Sequence, residues 1–302
     1  MSISGSRSES VNRRFSKSGP HAAYKGFLFV VPILALFALF KFYPIVKAIL
    51  VSLTDASPLS DEQNFVGLDN YVALTQDSQF LRALRVTAYY VSGTVAPLVV
   101  LSLGLALLLN QPIKGRAFFR AAIFIPALIP VIVAPILWRF LYHPFGLVNQ
   151  VISFLGFDPV PWLTTRDAVI PAFIVTSVWR FVPLFAMIYL AGLQSIPQEL
   201  YQAAEVDGAS ALQRFRHLTM PLLKPTTLVV MVIGVTLTAK SLVLAFVMTG
   251  GGPSGASKVL SLFIFEQGFR FQRLGYASAT SIVLLLVIMA VTLASFWLMR
   301  EQ

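Results

Sequence analysis

The sequence predicts an all-α, polytopic membrane protein with six transmembrane helices and both the N-terminus and the C-terminus in the cytoplasm. Three observations predict it. First, the 302 residues are 57% hydrophobic and only 12% charged, where a soluble chain carries about a quarter charged residues. That much apolar surface needs lipid as a second apolar solvent. Second, six apolar runs are each long enough to cross a hydrocarbon core of about 30 Å as a helix. Third, Lys and Arg are unevenly shared between the connecting segments. With the N-terminus inside, Arg7, Arg13, Arg14, Lys17, Lys25, Lys114, Arg116, Arg120, Arg214, Arg216, Lys224 and Arg300 lie inside, 12 in all, against 6 outside: Arg82, Arg139, Arg166, Lys258, Arg270 and Arg273. Positive charge concentrates on the cytoplasmic side of membrane proteins.

Taken in order, residues 1–23 are rich in Ser, Arg and Gly. They contain no apolar stretch and read as a disordered cytoplasmic tail, not a cleavable signal. Residues 24–83 hold the first span, at about 26–50, and an external segment. Residues 84–299 hold the other five spans, at about 86–109, 120–141, 168–193, 222–248 and 275–299. The second and sixth are free of charge; Arg180 interrupts the fourth and Lys240 the fifth. Pro126, Pro130 and Pro135 fall within the third. Each removes a backbone donor, so that span is expected to bend and to face the protein interior.

The formal charge of +10 does not point to nucleic acid, because the basic residues flank apolar runs and do not gather on one soluble face. There is no cysteine, and the histidines His21, His143 and His217 are far apart. Neither a disulfide framework nor a metal site is expected.

The cytoplasmic loop 196–221 is the most informative stretch. It reads IPQELYQAAEVDGASALQRFRHLTMP. Pro197 opens a helix with Glu199 in its first turn. Gly208 suits a left-handed turn at the helix end. A second amphipathic piece follows, with Leu212, Phe215 and Leu218 at helical spacing, stopped by Pro221 and Pro225. The residues leave two readings open: a knob that docks into a groove on a partner, or an amphipathic helix on the membrane surface.

This loop resembles the signature of the membrane subunits of binding-protein-dependent ABC importers. That pattern is Glu-Ala-Ala, three residues, Gly-Ala, then an amphipathic segment ending in Leu-Pro. Ala203, Ala204, Asp207, Gly208, Ala209, Phe215 and Pro221 stand at the matching positions. FVGLDNYVAL (65–74), the stretches 105–130 and 178–197, TGGGPSGASKVLSLFIF (249–265) and GYASATSIVLLL (275–286) resemble the sugar-permease branch, similar to the maltose and glycerol-3-phosphate importers. The resemblance spans roughly residues 24–299. It implies the type I importer fold and a permease of the inner (plasma) membrane. It also implies a partner set: a second permease subunit in a heterodimer, two ATP-binding subunits and an extracytoplasmic solute-binding protein. Coupling to the ATPase would run through Glu199, Gln202, Ala203, Ala204, Asp207, Gly208, Ala209, Phe215 and Pro221. Two departures stand out. The family's leading glutamate is Gln202 here, which offers only a neutral hydrogen bond. Leu242 and Val243 stand where relatives often carry Phe-Asp, so no particular sugar specificity transfers.

No catalytic constellation is present. The nearest match to a phosphate-binding loop, Gly250 to Ser257, has Ala256 at the lysine position and is expected outside the cell. ATP and Mg are therefore expected on a partner subunit, with no cofactor on this chain. Trp138, Trp179, Arg180, Tyr189 and Lys240 are candidate residues of the solute path, because charges within spans are costly and aromatic faces stack on sugars. Aromatic residues in spans more often pack or anchor, and a basic residue after the matching tryptophan is common in the family. The expected function is passage of a sugar or polyol by alternating access. Import of glycerol-3-phosphate or a glycerophosphodiester, or a self-sufficient secondary transporter, are the alternatives.

Overall fold

The computed structural model describes residues 20–60, 62–112 and 114–300. The expected tail therefore lies outside the described residues up to residue 19, with Arg7, Arg13, Arg14 and Lys17. The chain divides after Val51 into two compact units.

The first unit is one long helical run: α1 (Pro20–Phe37), a π-helical turn over Ala38–Phe42, and α2 (Tyr43–Ser52) up to Val51. It starts earlier than the apolar run alone suggested. Pro44 has no N–H, so the carbonyl four residues back lacks its partner. The π turn, in which Tyr43 N–H donates to the Ala38 carbonyl, is the local adjustment that absorbs the defect. Phe27, Leu34, Phe40 and Leu50 are exposed, as a helix dissolved in lipid requires.

The second unit opens with an external segment. Asn70 Nδ2 donates to the Ser52 and Thr54 carbonyls, at 2.9 Å each, folding the chain back onto α3 (Asp69–Gln76). Asp77 then caps α4 (Ser78–Asn110), its carboxylate accepting from Gln79 N–H at 2.7 Å. With 33 residues, α4 is about 50 Å long, longer than a hydrocarbon core of about 30 Å.

Helix α4 packs lengthwise against α8 (Arg166–Gln194). Near the middle, the Tyr90 and Ser177 hydroxyls are 2.6 Å apart and fully enclosed, and Tyr90 meets Phe173 edge-on. Pairing these hydroxyls matters because an unpaired buried one costs about 1–3 kcal/mol. Helix α12 (Lys224–Ala239) lies along both, and Val230 seals a second cluster with Leu98, Phe185, Tyr189, Leu190 and Leu193. Helix α15 (Leu274–Arg300) packs on α12, α14 (Leu260–Phe265) and α3. Tyr276 donates its hydroxyl to Asp77 at 2.7 Å, tying α15 to the N-cap of α4.

Two expected spans are broken. The third is α5 (Arg116–Leu128) and α6 (Val133–Leu141), which meet at 95°. A proline disfavours the helical conformation in the residue before it. Ile129, before Pro130, is accordingly extended (φ −65°, ψ 131°). The expected bend is thus a right-angled break, followed by α7 (Leu147–Phe154) on the outer side. The fifth span separates at Lys240–Ser241 into α12 and α13 (Leu242–Met248). Among the described residues four helices have the length and apolarity of a span, and up to six spans result if two bent pairs, α5 with α6 and residues 211–222 with α12, each count as one.

Candidate functional site

The cytoplasmic loop forms a compact knob. Pro197, in a non-helical conformation, precedes α9 (Gln198–Val206). Gly208, at φ +79°, ends it. Ala209 N–H reaches back to the Ala204 carbonyl at 2.9 Å and Gly208 N–H to Glu205 at 3.1 Å. This pair of bonds is a Schellman turn, which needs a left-handed residue where glycine stands. Ser210 and Gln213 then cap α10 (Ala211–Arg214) reciprocally.

Three contacts make the two short helices one body. Arg214 pairs with Glu205 at 3.3 Å, the Tyr201 and Thr219 hydroxyls are 3.0 Å apart, and Phe215 packs into the cluster of Leu109, Leu190, Leu193 and Leu223. Phe215 is the anchor: it joins the knob to the inner ends of α4 and α8. The second helix ends at Leu222, between the two prolines expected to stop it. A π turn over Phe215–Thr219 leads into α11 (Met220–Leu222), and the chain bends by 62° at Leu223 before α12. Pro225 stands in the first turn of α12, where a missing N–H costs nothing, whereas Pro221 follows a π turn inside a continuing helical run, as Pro44 does.

Glu199, Gln202, Ala203, Asp207, Gly208 and Pro221 are exposed, while Ala204 and Ala209 are half-buried beneath the turn. Val206 and Leu212 are 88% and 73% exposed. Sequence reading passed over Val206 and used Leu212 only as spacing. Together they give the outer rim of the knob an apolar edge.

Deeper in the bundle the two span breaks face one cavity, of about 260 Å³. Val131, Ala134 and Pro135 line it from the α5–α6 break, Thr176, Ser177 and Arg180 from α8, and Lys240, Ser241 and Val243 from the α12–α13 break. Arg180 donates to the Pro130 carbonyl at 3.4 Å, an acceptor it shares with the Val133 and Ala134 N–H groups at the start of α6. Discontinuous helices at a cavity are how transporters build solute sites within the membrane.

Residues 91–300 match the family model described as a binding-protein-dependent transport system inner membrane component. The chain belongs to that family. It is 34% identical over 283 residues to the trehalose/maltose transport system permease protein MalF of Thermococcus litoralis, covering 93% of this chain and 96% of that one. It is 35% identical over 273 residues to the arabinooligosaccharides transport system permease protein AraP of Bacillus subtilis, covering 89% and 86%. In fold it is similar to a chain of the crystal structure of a bacterial ABC transporter that imports the acidic polysaccharide alginate. There the TM-score is 0.80 at 24% identity, covering 93% of this chain and 96% of that chain. The protein is therefore an ABC importer permease with the type I fold, a multi-pass component of the inner membrane.

Within this permease the candidate path residues separate. Tyr189 is fully buried among Phe185, Leu190 and Val230. Trp138 is buried, 5.6 Å from Trp179 and 5.0 Å from Tyr142 between ring centroids. These three aromatics pack between helices and do not line the cavity; Arg180 and Lys240 do. Of the two positions that depart from the family pattern, Val243 lines it and Leu242 packs beside it.

The outer end is cross-braced. Thr249 and Ser257 hydroxyls lie 2.6 Å apart across the glycine turn, with Gly250, Gly251 and Gly255 at positive φ. Lys258 pairs with the buried Glu266 at 2.6 Å, in a π turn over Glu266–Arg270.

Proposed function

We propose that this permease passes a sugar or oligosaccharide, released by an extracytoplasmic binding protein, into the cytoplasm by alternating access. The relatives named for trehalose/maltose and arabinooligosaccharides support the solute class. A solved alginate transporter that is similar in fold was captured with a periplasmic protein bound to an alginate pentasaccharide, which supports a receptor on the outer face. A second permease subunit completes the path, and two ATP-binding subunits carry ATP and Mg. This chain contributes no catalytic group.

The single observation that carries this reading is the knob. Its helices are tied to each other by the Schellman turn and the Glu205–Arg214 pair. They are tied to α8 through Phe215, while Gln202, Ala203, Asp207, Val206 and Leu212 face outward. Closure of the ATP-binding subunits then moves the knob as a rigid lever on α8 and α12. With Gln202 in the place of a charged residue, docking rests on Asp207 and on the apolar rim. A self-sufficient carrier has no use for such a lever.

The test is copurification with the ATP-binding subunit. Gly208→Val forces a β-branched residue to φ +79° at a cost of about 1–3 kcal/mol. It is expected to abolish copurification and uptake while the permease still reaches the membrane. Gly208→Asn, which tolerates the left-handed region, is expected to retain much of both. Full uptake by Gly208→Val, or uptake by this chain without an ATPase, would contradict the proposal.

A further inference from the structure

The cavity between the broken spans holds one uncommitted charge. The Thr176 hydroxyl donates to the Ala172 carbonyl at 2.9 Å. Ser177 pairs with Tyr90 at 2.6 Å. Ser241 donates to the Leu237 carbonyl at 3.2 Å and accepts from Tyr90 at 3.3 Å. Arg180 is turned to the Pro130 carbonyl. Lys240 alone of the polar side chains on this wall has no hydrogen bond or ion pair among the described residues. The three ion pairs found there, Glu205–Arg214, Glu266–Lys258 and Glu266–Arg270, all lie elsewhere.

No carboxylate lines the cavity, and the Lys240 side chain is exposed. An ammonium within a span is expensive and persists where a partner or a water-filled path meets it. The break in the fifth span sits at this residue: Lys240 ends α12 and α13 begins two residues later. The backbone thus turns where the charge meets the cavity.

We infer that Lys240 is the counter-charge for an anionic group on the transported saccharide, a uronate or other acidic sugar, with Arg180 adding positive potential from α8. This rests on the importer reading above. Arg180, hydrogen-bonded across the break of the third span, keeps that wall in place. The Lys240 ammonium gives the solute carboxylate a charge-assisted hydrogen bond in a site whose other polar groups are already satisfied. At about 260 Å³ the cavity suits a single sugar ring of a longer chain, below the usual volume for a larger ligand.

The test uses the complete importer, with its receptor and ATP-binding subunits, in proteoliposomes. Uptake of a uronate-bearing disaccharide is compared with uptake of the matched neutral disaccharide. Wild type is expected to take up the acidic sugar. Lys240→Gln is expected to lower acidic-sugar uptake about tenfold or more, the loss of one charge-assisted contact, and Lys240→Arg to restore most of it. Copurification of the complex and receptor-stimulated ATP hydrolysis without solute are expected unchanged in both variants. Wild type that imports only the neutral sugar, or Lys240→Gln with undiminished acidic-sugar uptake, overturns the inference and leaves the importer reading standing. Loss of copurification in Lys240→Gln also overturns it, because Lys240 would then pair with a carboxylate of the partner permease. Failure of wild type to import any saccharide with ATP overturns both.

Discussion

Gly275 stands where α15 begins, and its backbone lies against the external segment. A Cβ there would meet the Thr54 carbonyl oxygen, with the Ala56 nitrogen 3.3 Å away. Gly275 N–H also donates to the Ala56 carbonyl at 3.1 Å. The obstacle is backbone, which cannot swing aside as a side-chain tip can. Gly275→Ala is therefore expected to destabilise the protein by about 1–3 kcal/mol, read as a lowered Tm in detergent; an unchanged Tm would contradict the close approach. This glycine was visible in the sequence only through the resemblance of residues 275–286, because a contact so remote in the chain leaves no local pattern. Gly208 differs. Its place between a helix-forming stretch and a second amphipathic piece marked it from the sequence alone, because the left-handed turn is a local requirement. Lys240 shows a third case. As an isolated cation in an apolar run it was evident, but not its place on a cavity wall, which depends on a break in the fifth span with no proline or glycine at Lys240–Ser241 to announce it.

The knob is stabilised by local chemistry, and so was largely legible. Pro197, the Ser210–Gln213 pair and the glycine all act within four residues of themselves. Ser210→Ala removes one side of the capping box and is expected to cost about 1 kcal/mol, measured as faster amide exchange over residues 211–215. The Glu205–Arg214 pair matters less on its own: Glu205 is 69% exposed, and such pairs contribute about 0–1 kcal/mol. Unaltered exchange in Ser210→Ala, with lost protection in Glu205→Gln, would reverse that ranking. The second helix was read less well. Pro221 and Pro225 were expected to stop it, and it ends between them at Leu222, but the π turn over Phe215–Thr219 and the 62° bend into α12 were not announced. The prolines of the third span likewise announced a bend but not its 95°. Pro130 forces Ile129 out of the helical region, whereas the direction that α6 then takes is set by packing of Ala134, Pro135 and Trp138, which no local rule encodes.

On the scale of the whole molecule, the apolar composition decides the environment and the charge asymmetry its expected direction across the bilayer. Large exposed side chains such as Val100, Leu108, Leu286 and Phe296 are tolerable in an apolar membrane environment. The bundle's inner and outer ends are built differently. Phe215 ties the inner knob to the spans through apolar contact, while hydroxyl pairs and the Lys258–Glu266 ion pair brace the outer turn. On the proposed function, a motor gripping the knob would act on α8 and α12, the helices that wall the Lys240 cavity. The sequence contains no cysteine, so a single introduced thiol is the sole thiol of this chain. The most direct test of the account is cross-linking from A203C, on the exposed face of α9, in membranes holding the assembled importer. The account predicts a product with the ATP-binding subunit, altered in yield by ATP, and no labelling by impermeant thiol reagents from outside intact cells. Labelling from outside, or an assembled and active importer in which A203C lies beyond reach of that subunit, would contradict it.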